Sequence, residues 1–523
     1  MLLSASFAAR QAGLPLASWL PVICARDGDC FRTDHLLTDL RRRTVSSGFV
    51  TLAAQGAKVV LNIGSLIVLA RLLTPQDFGV VAMATTTLGF LRVFRDAGLS
   101  TATVQKESIT HAQVSNLFWA NVALSGLLSL IVVASAPAIA WFFHDRRLIA
   151  ITILLSVTYL LSGSTVQPQA LLNRQMRFKA LAMIEIGSKA AGLVTGVLMA
   201  LSGFGYWSLV GASLATEGAS LLLTWPMSDW RPQAPRRNVG TRPLLKFGAG
   251  LTAGGSMNSL SQGVDSLLIG RSYGADSLGF YSRAMALLMR PSELLLGPIN
   301  SVMLPILAKL QGDPKRYRRS FLQVYETLAF AGLALTGILL ALSRPLTLVL
   351  LGPKWEQAAV IFGGFTLAAM YRPLSASSSW LFISQGRGDE FFLMNSILSV
   401  LAIVAVFVGL PYGPLGVALA YSVSGLLIRL PILFYLAGRR GPVSTWDLWI
   451  GFFHHLPVWG GGFAASWLAR LLFADSSPLV QLAVCGTIGT LGALCFVGLL
   501  PAPRGAALRC LGALRDLKTA PAY

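Results

Sequence analysis

Apolar runs about 20 residues long, the length that crosses a hydrocarbon core, recur along the chain from residue 48 onward. The spans they predict are 48–70, 78–100, 114–136, 148–166, 181–202, 204–225, 246–270, 279–303, 321–343, 356–384, 390–410 and 413–437, with two more at 450–472 and 478–500. That is two sets of six helices followed by a pair, about fourteen in all. The first helix carries a polar stripe, Lys58, Asn62 and Ser65, whose spacings of four and three put all three on one face. A short polar turn, Arg71 to Gly79, separates it from the second helix. Moving 200 positions on, the stripe returns as Asn258, Gln262 and Asp265, and the turn as Arg271 to Gly279.

The pattern is therefore a repeat. Because six is even, the second set enters the membrane in the same sense as the first, so the two lobes are related by an axis along the membrane normal. Core helices of a soluble protein need no polar stripe, whereas helices around a transporter's central cavity do. The fold class expected is an all-α integral membrane protein with two six-helix lobes and a C-terminal helix pair. The predicted division is 1–40 as a disordered leader or over-extended start, 41–225 as the N-lobe and 226–245 as a linker. The C-lobe follows at 246–438, the additional pair at 439–503 and a tail at 504–523.

Composition agrees. Of 523 residues only 12% are charged, and the mean hydropathy is +0.64; a soluble domain has roughly 25% charged residues. The net charge of +20 does not indicate nucleic acid, since the cations are spread over short loops between apolar runs. They alternate instead: Arg174, Arg177, Lys179, Arg231, Arg236, Arg237, Lys315, Arg316, Arg318 and Arg319 all fall in even-numbered loops. Arg41, Arg42 and Arg43 precede the first helix. This bias predicts that both termini are cytoplasmic. The linker, from Trp225 to Lys246, holds four prolines and five basic residues. Five scattered cysteines without a CxxC pair indicate neither a disulfide framework nor a zinc site, and no cofactor motif or GxxxxGK[ST] phosphate loop is present.

Charges inside the spans carry the functional reading, because each is expensive in hydrocarbon unless it faces a cavity or a partner. Lys58 falls near mid-membrane; Arg92, Arg95 and Asp96 share a face of the second helix, with Arg92 and Asp96 spaced as a pair. The eighth helix repeats the theme with Arg283 and Arg290. Glu185 and Lys189, four apart, read as a structural pair, and Arg429, beside Pro431, as an edge residue. Arg95 and Arg283 have snorkelling as their alternative. The surplus is cationic and suits an anion, since the arginine fork matches phosphate oxygens in pairs. Asp265 is the candidate acid for a coupling H⁺ or Na⁺, with Asn62, Asn258 and Gln262 lining the cavity.

The run from Gly64 to Met83, which contains Ala70-Arg-Leu-Leu-Thr-Pro-Gln-Asp-Phe-Gly79, resembles the start of the polysaccharide-transport family of lipopolysaccharide and exopolysaccharide exporters. Asp96 to Gln105, Gln169 to Lys179 and Leu278-Gly-Phe-Tyr-Ser-Arg-Ala284 resemble it too. These are similar to the Wzx-like flippases of the multidrug/oligosaccharidyl-lipid/polysaccharide superfamily. The resemblance implies a V-shaped, two-lobed fold working by alternating access in the bacterial inner membrane. The implied cargo is an undecaprenyl-diphosphate-linked oligosaccharide, and the implied partners are membrane lipids and the polysaccharide polymerase and co-polymerase. It also implies cavity arginines and lysines for the diphosphate, which agrees with Lys58, Arg92 and Arg290; with Arg95 and Arg283 these are the residues expected to hold it. A cation-coupled multidrug exporter and a non-transporting scaffold are the alternatives; the cationic surplus argues against the first. An enzyme is not expected.

Overall fold

The computed structural model describes residues 40–92, 94–95, 98–106, 109–237, 239–241, 243–245, 263–501 and 503–508; at 40–53, 92, 290–298, 300 and 301 only the backbone is described. All the regular elements among them are helical. In the first half α1 (Leu40–Leu72), α2 (Pro75–Arg92), the short α3 (Leu99–Gln105), α4 (His111–Phe143), α5 (Arg147–Gly163), α6 (Val166–Arg174), α7 (Phe178–Leu201) and α8 (Trp207–Met227) follow in order. The second half has α9 (Val264–Lys309), α10 (Pro314–Ala341), α11 (Ser343–Leu351), α12 (Glu356–Ser384), α13 (Gly388–Gly409), α14 (Gly413–Ser424) and α15 (Leu430–Gly438). Last come α16 (Thr445–Leu472) and α17 (Pro478–Leu499). Among the described residues seven helical stretches are long and apolar enough to span a membrane, one of them running Gly388–Gly438 across two predicted spans. The protein is a multi-pass, all-α membrane protein.

The ends of these helices follow local chemistry. Thr74 and Asp77 bond reciprocally across the start of α2, the Thr74 amide donating to the Asp77 carboxylate at 2.9 Å and the Asp77 amide to Oγ1 of Thr74 at 3.3 Å. Pro75 takes the first helical position, where its missing N–H is no loss. The 200-residue repeat places Gly274 where Thr74 stands, and there the chain turns differently. Gly274 has φ 77° and ψ −174° and bends α9 sharply, so the described end of predicted span seven and span eight form one bent element. The second predicted span also ends earlier than residue 100, because α2 stops at Arg92 and the left-handed Gly98 (φ 66°) opens α3. Near Pro431, residues Gly425–Arg429 form a π-helical turn between α14 and α15. Proline offers no N–H and crowds the preceding turn, and a widened turn relieves that conflict.

The Arg71–Gly79 and Arg271–Gly279 turns lie together at one end of the bundle, called the turn end below. There α2 crosses the second part of α9. A Cβ on Gly79 would overlap the backbone of Ala275, and one on Gly279 would overlap the backbone of Pro75. Pro75 and Ala275, like Gly79 and Gly279, are 200 apart, so the contact is its own mirror. Trp355, fully buried, enters this crossing from the second half: its indole N–H donates to Ala70 O at 2.9 Å, and its ring meets Phe78 at 5.5 Å. Arg71 donates to Val349 O at 2.5 Å, Lys354 to Arg71 O at 2.9 Å, and Arg271 to His144 Nδ1 at 2.6 Å. One buried core, with Leu69, Phe78, Leu155, Tyr281, Trp355 and Phe365 among its members, therefore draws on both halves. A second core, with Tyr317, Tyr325, Trp380 and Phe434, belongs to the second half alone.

The predicted linker is docked, not loose. Asn116 of α4 exchanges two hydrogen bonds with the backbone of Arg236 (2.7 and 2.9 Å). Trp119 donates to Gln233 O at 2.9 Å, and Trp230 is buried. Two arginines at helix ends act as carbonyl clamps. Buried Arg174 reaches the carbonyls of Thr103 (3.1 Å) and Lys106, and Arg387 those of Leu436 (3.0 Å) and Arg440 (2.9 Å). Both satisfy carbonyls that a helix end leaves without partners.

Candidate functional site

Depth can be counted from the turn end at 1.5 Å per residue of helix. Lys58 on α1 then lies about 21 Å in, Arg290 on α9 about 22 Å, Arg372 on α12 about 24 Å and Arg92 at the end of α2 about 26 Å. Four helices from both halves thus present a cation at one level. Arg283, only eight residues beyond Ala275, lies nearer the turn end at about 12 Å, where its guanidinium sits 4.5 Å from the centre of the Phe78 ring. The side chains of Arg92 and Arg290 lie outside the described residues, as do Asn258, Gln262 and Asp96 in full.

The described charges pair across helices. Glu185 bonds to Lys58 of α1, and Lys189 donates to Asn62 Oδ1 at 3.3 Å. The α1 stripe is therefore tied to α7 across helices, which a within-helix count of four cannot reveal. Arg95 meets Glu217 of α8 at 3.6 Å, so its acid comes from another helix. Both members of this pair stay partly open, with side chains 31% and 28% exposed. Asp265 lies in the first turn of α9, just after left-handed Gly263 (φ 106°). It accepts from the Tyr281 hydroxyl at 2.6 Å and from the Ser266 amide at 2.8 Å. Arg429 is not at an edge. It is 3% exposed, its guanidinium packed 4.2 Å from the Tyr421 ring and 5.0 Å from Tyr371.

A cavity of about 250 Å³ opens inside the first half, between α2, α5 and α8. Hydroxyls of Thr85, Thr158, Tyr159, Ser213 and Thr216 line it with Glu217; Arg95, Leu88 and Leu155 complete the wall. No spacing in the sequence marks this cavity. Its hydroxyls come from three helices and look individually like ordinary membrane-helix Ser and Thr. The signal that could have found it was Glu217 itself, an acid inside a span with no partner at helical spacing.

The chain matches the polysaccharide biosynthesis protein family Polysacc_synt_3 over residues 68–360. It belongs to that family. It is 30% identical to the amylovoran biosynthesis protein AmsL of Erwinia amylovora, over 63% of this chain and 86% of that one. It is 24% identical to the lipopolysaccharide biosynthesis protein WzxC of Escherichia coli, over 80% and 87%. Among solved structures, the lipid II flippase MurJ in an inward closed conformation superposes with a TM-score of 0.70 at 16% identity, over 87% of this chain and 98% of that one. An inward-facing multidrug MATE transporter of the MOP superfamily gives 0.57 at 13% identity, over 76% and 93%. These last two likenesses establish the fold of this family member: the two-lobed transporter architecture.

Proposed function

We propose that this family member is a flippase for a lipid-linked oligosaccharide, carrying an undecaprenyl-diphosphate-linked polysaccharide precursor between leaflets of the bacterial inner membrane by alternating access. The observation that carries the reading is the level of cations, Lys58, Arg92 and Arg290, contributed by helices of both halves at about 21–26 Å from the turn end. A diphosphate held there touches both halves at once, so a change in their angle re-exposes it on the other side. With both termini cytoplasmic, as the loop charges imply, the turn end is periplasmic. The close crossing of Gly79 and Gly279 then shuts that side, and the cation level faces the cytoplasmic leaflet where such a lipid is made. Arg95 and Arg283 flank the diphosphate, Asn62, Asn258 and Gln262 line its cavity, and Asp265 carries the coupling ion. The protein acts as a transporter and not an enzyme, alongside a polymerase and co-polymerase that take up its product.

The experiment is deletion of the gene followed by leaflet-resolved detection of the diphosphate-linked intermediate, with wild type and Arg290→Ala supplied back. Accumulation on the cytoplasmic leaflet, rescued by the wild type and not by the variant, is expected. A normal leaflet distribution in the deletion strain would overturn the reading.

A further inference from the structure

The cavity between α2, α5 and α8 has a distinct chemistry. Each hydroxyl in its wall already donates its proton to a backbone carbonyl. Thr85 gives to Val81 O at 2.9 Å, Thr158 to Leu155 O at 2.5 Å and Tyr159 to Leu88 O at 2.7 Å. Ser213 gives to Leu209 O at 2.9 Å and Thr216 to Ala212 O at 2.7 Å. A hydroxyl has one proton and two lone pairs, so what remains for a guest is oxygen acceptors. Glu217 adds two more. The ligand must therefore be rich in donors.

Charge and size then separate the candidates. A bare cation would also suit an oxygen wall, but the Arg95 guanidinium lies 3.6 Å from the cavity's carboxylate and brings the charge of the lining to zero. The volume of about 250 Å³ corresponds to roughly eight waters at about 30 Å³ each, far more than a stripped ion fills. It falls just under the roughly 300 Å³ where sites for drug-sized ligands begin. A neutral ring of about a dozen heavy atoms bearing several hydroxyls matches both limits, with Leu88 and Leu155 facing its C–H edges.

Position adds a third argument. Thr85 and Glu217 lie about 15 Å from the turn end and Thr158 about 17 Å. That is one sugar ring's length nearer the turn end than the cation level at about 21–26 Å. Arg95, whose backbone follows the end of α2, reaches back to join the two levels. We propose that the cavity is a monosaccharide subsite: it receives one neutral pyranose ring of the cargo, its hydroxyls donating to Glu217 and the Ser and Thr oxygens, while Arg95 donates to the ring substituents. The proposal rests on the flippase reading, and its test is separable from that reading.

The detergent-purified full chain is titrated with glucose, galactose, mannose and N-acetylglucosamine at millimolar concentrations, thermal unfolding being the readout. Sorbitol and sodium chloride serve as controls. At least one pyranose is expected to raise the melting temperature. Its apparent affinity should fall about tenfold in Glu217→Gln, the loss of one hydrogen bond to a charged group, and measurably in the isosteric Thr158→Val, which leaves the ion pair intact. Four results overturn the subsite: no pyranose shifts the transition, sorbitol matches the pyranoses, the shift survives both substitutions, or sodium alone gives a shift that Glu217→Gln abolishes. If flipping is intact in the leaflet assay and no pyranose binds, the subsite alone has failed. If a pyranose binds and the leaflet distribution is normal in the deletion strain, the flippase reading has failed.

Discussion

Gly79 and Gly279 each lie against the backbone of the other's helix: Gly79 against Ala275, Gly279 against Pro75. The two contacts are related by the same 200-residue offset as the sequence repeat, so the repeat's axis passes between them. Neither glycine leaves room for a Cβ. Gly79→Val and Gly279→Val should each wedge α2 from α9, with normal membrane insertion and loss of polysaccharide export. Cysteine labelling at the turn end should rise in both. Unchanged labelling together with full export would show that the crossing is not the closed gate.

The Lys58–Glu185 pair separates structural from functional cations. Lys58→Met strands a partly exposed carboxylate and should lower the melting temperature. Adding Glu185→Leu removes that carboxylate and should restore stability while export stays lost, because the anion ligand is still missing. Normal export from the double variant would reduce Lys58 to a structural partner.

Asp447 provides a pH test outside the predicted span 450–472. A hydrogen bond from the Arg318 guanidinium, helped by the Ser444 amide and hydroxyl and opposed by burial, holds its carboxyl below the usual range. Arg318 Nη2 lies 2.5 Å away, and Ser444 and Asp447 form the capping box that opens α16. A carboxyl with a lowered folded pKa stabilises the fold fully above its unfolded value of about 3.9, and the contribution is lost as pH falls through the folded value. Asp447→Asn should therefore cost about 1–2 kcal/mol at pH 7 and nothing once the wild-type carboxyl is protonated. Thermal unfolding at neutral and acid pH measures the difference.

Trp355 joins the halves by one hydrogen bond and a ring. Trp355→Ala should cost about 3–5 kcal/mol. Trp355→Phe keeps most of the packing and leaves Ala70 O without its donor, at about 1–3 kcal/mol. A smaller loss for Phe than for Ala, read by thermal unfolding, is the expected order.

Asn121 of α4 is fully buried, and neither atom of its amide has a hydrogen-bond partner among the described residues. Its replacement by Leu removes a desolvated amide and should raise stability by about 1–3 kcal/mol. A drop in melting temperature would instead assign the amide a polar partner in the membrane-embedded protein.

The helices and their repeat were legible because they depend on local properties: apolar length, a short polar turn, and a fixed offset. The basic residues inside the spans stood out too, since charge in a span is conspicuous against hydrocarbon. Pairing was not. Lys58 with Glu185 and Arg95 with Glu217 join positions more than 120 residues apart, and helical spacing carries no information across helices. Arg429 misled for a related reason: its nearness to Pro431 suggested a helix edge, whereas the π turn keeps the helix going and folds the side chain between two tyrosines.

The core shared by the two halves has a consequence for synthesis. Ala70 and its indole partner Trp355 are 285 residues apart, so at the usual 5–20 residues per second a ribosome needs roughly 15–60 s to deliver the second after the first. Throughout that interval the first half sits in the bilayer with Phe78 lacking the Trp355 ring that packs against it. Its nascent helices must be tolerated as an open-faced sheaf, and the insertion machinery or the lipid itself must cover that face until the later helices arrive.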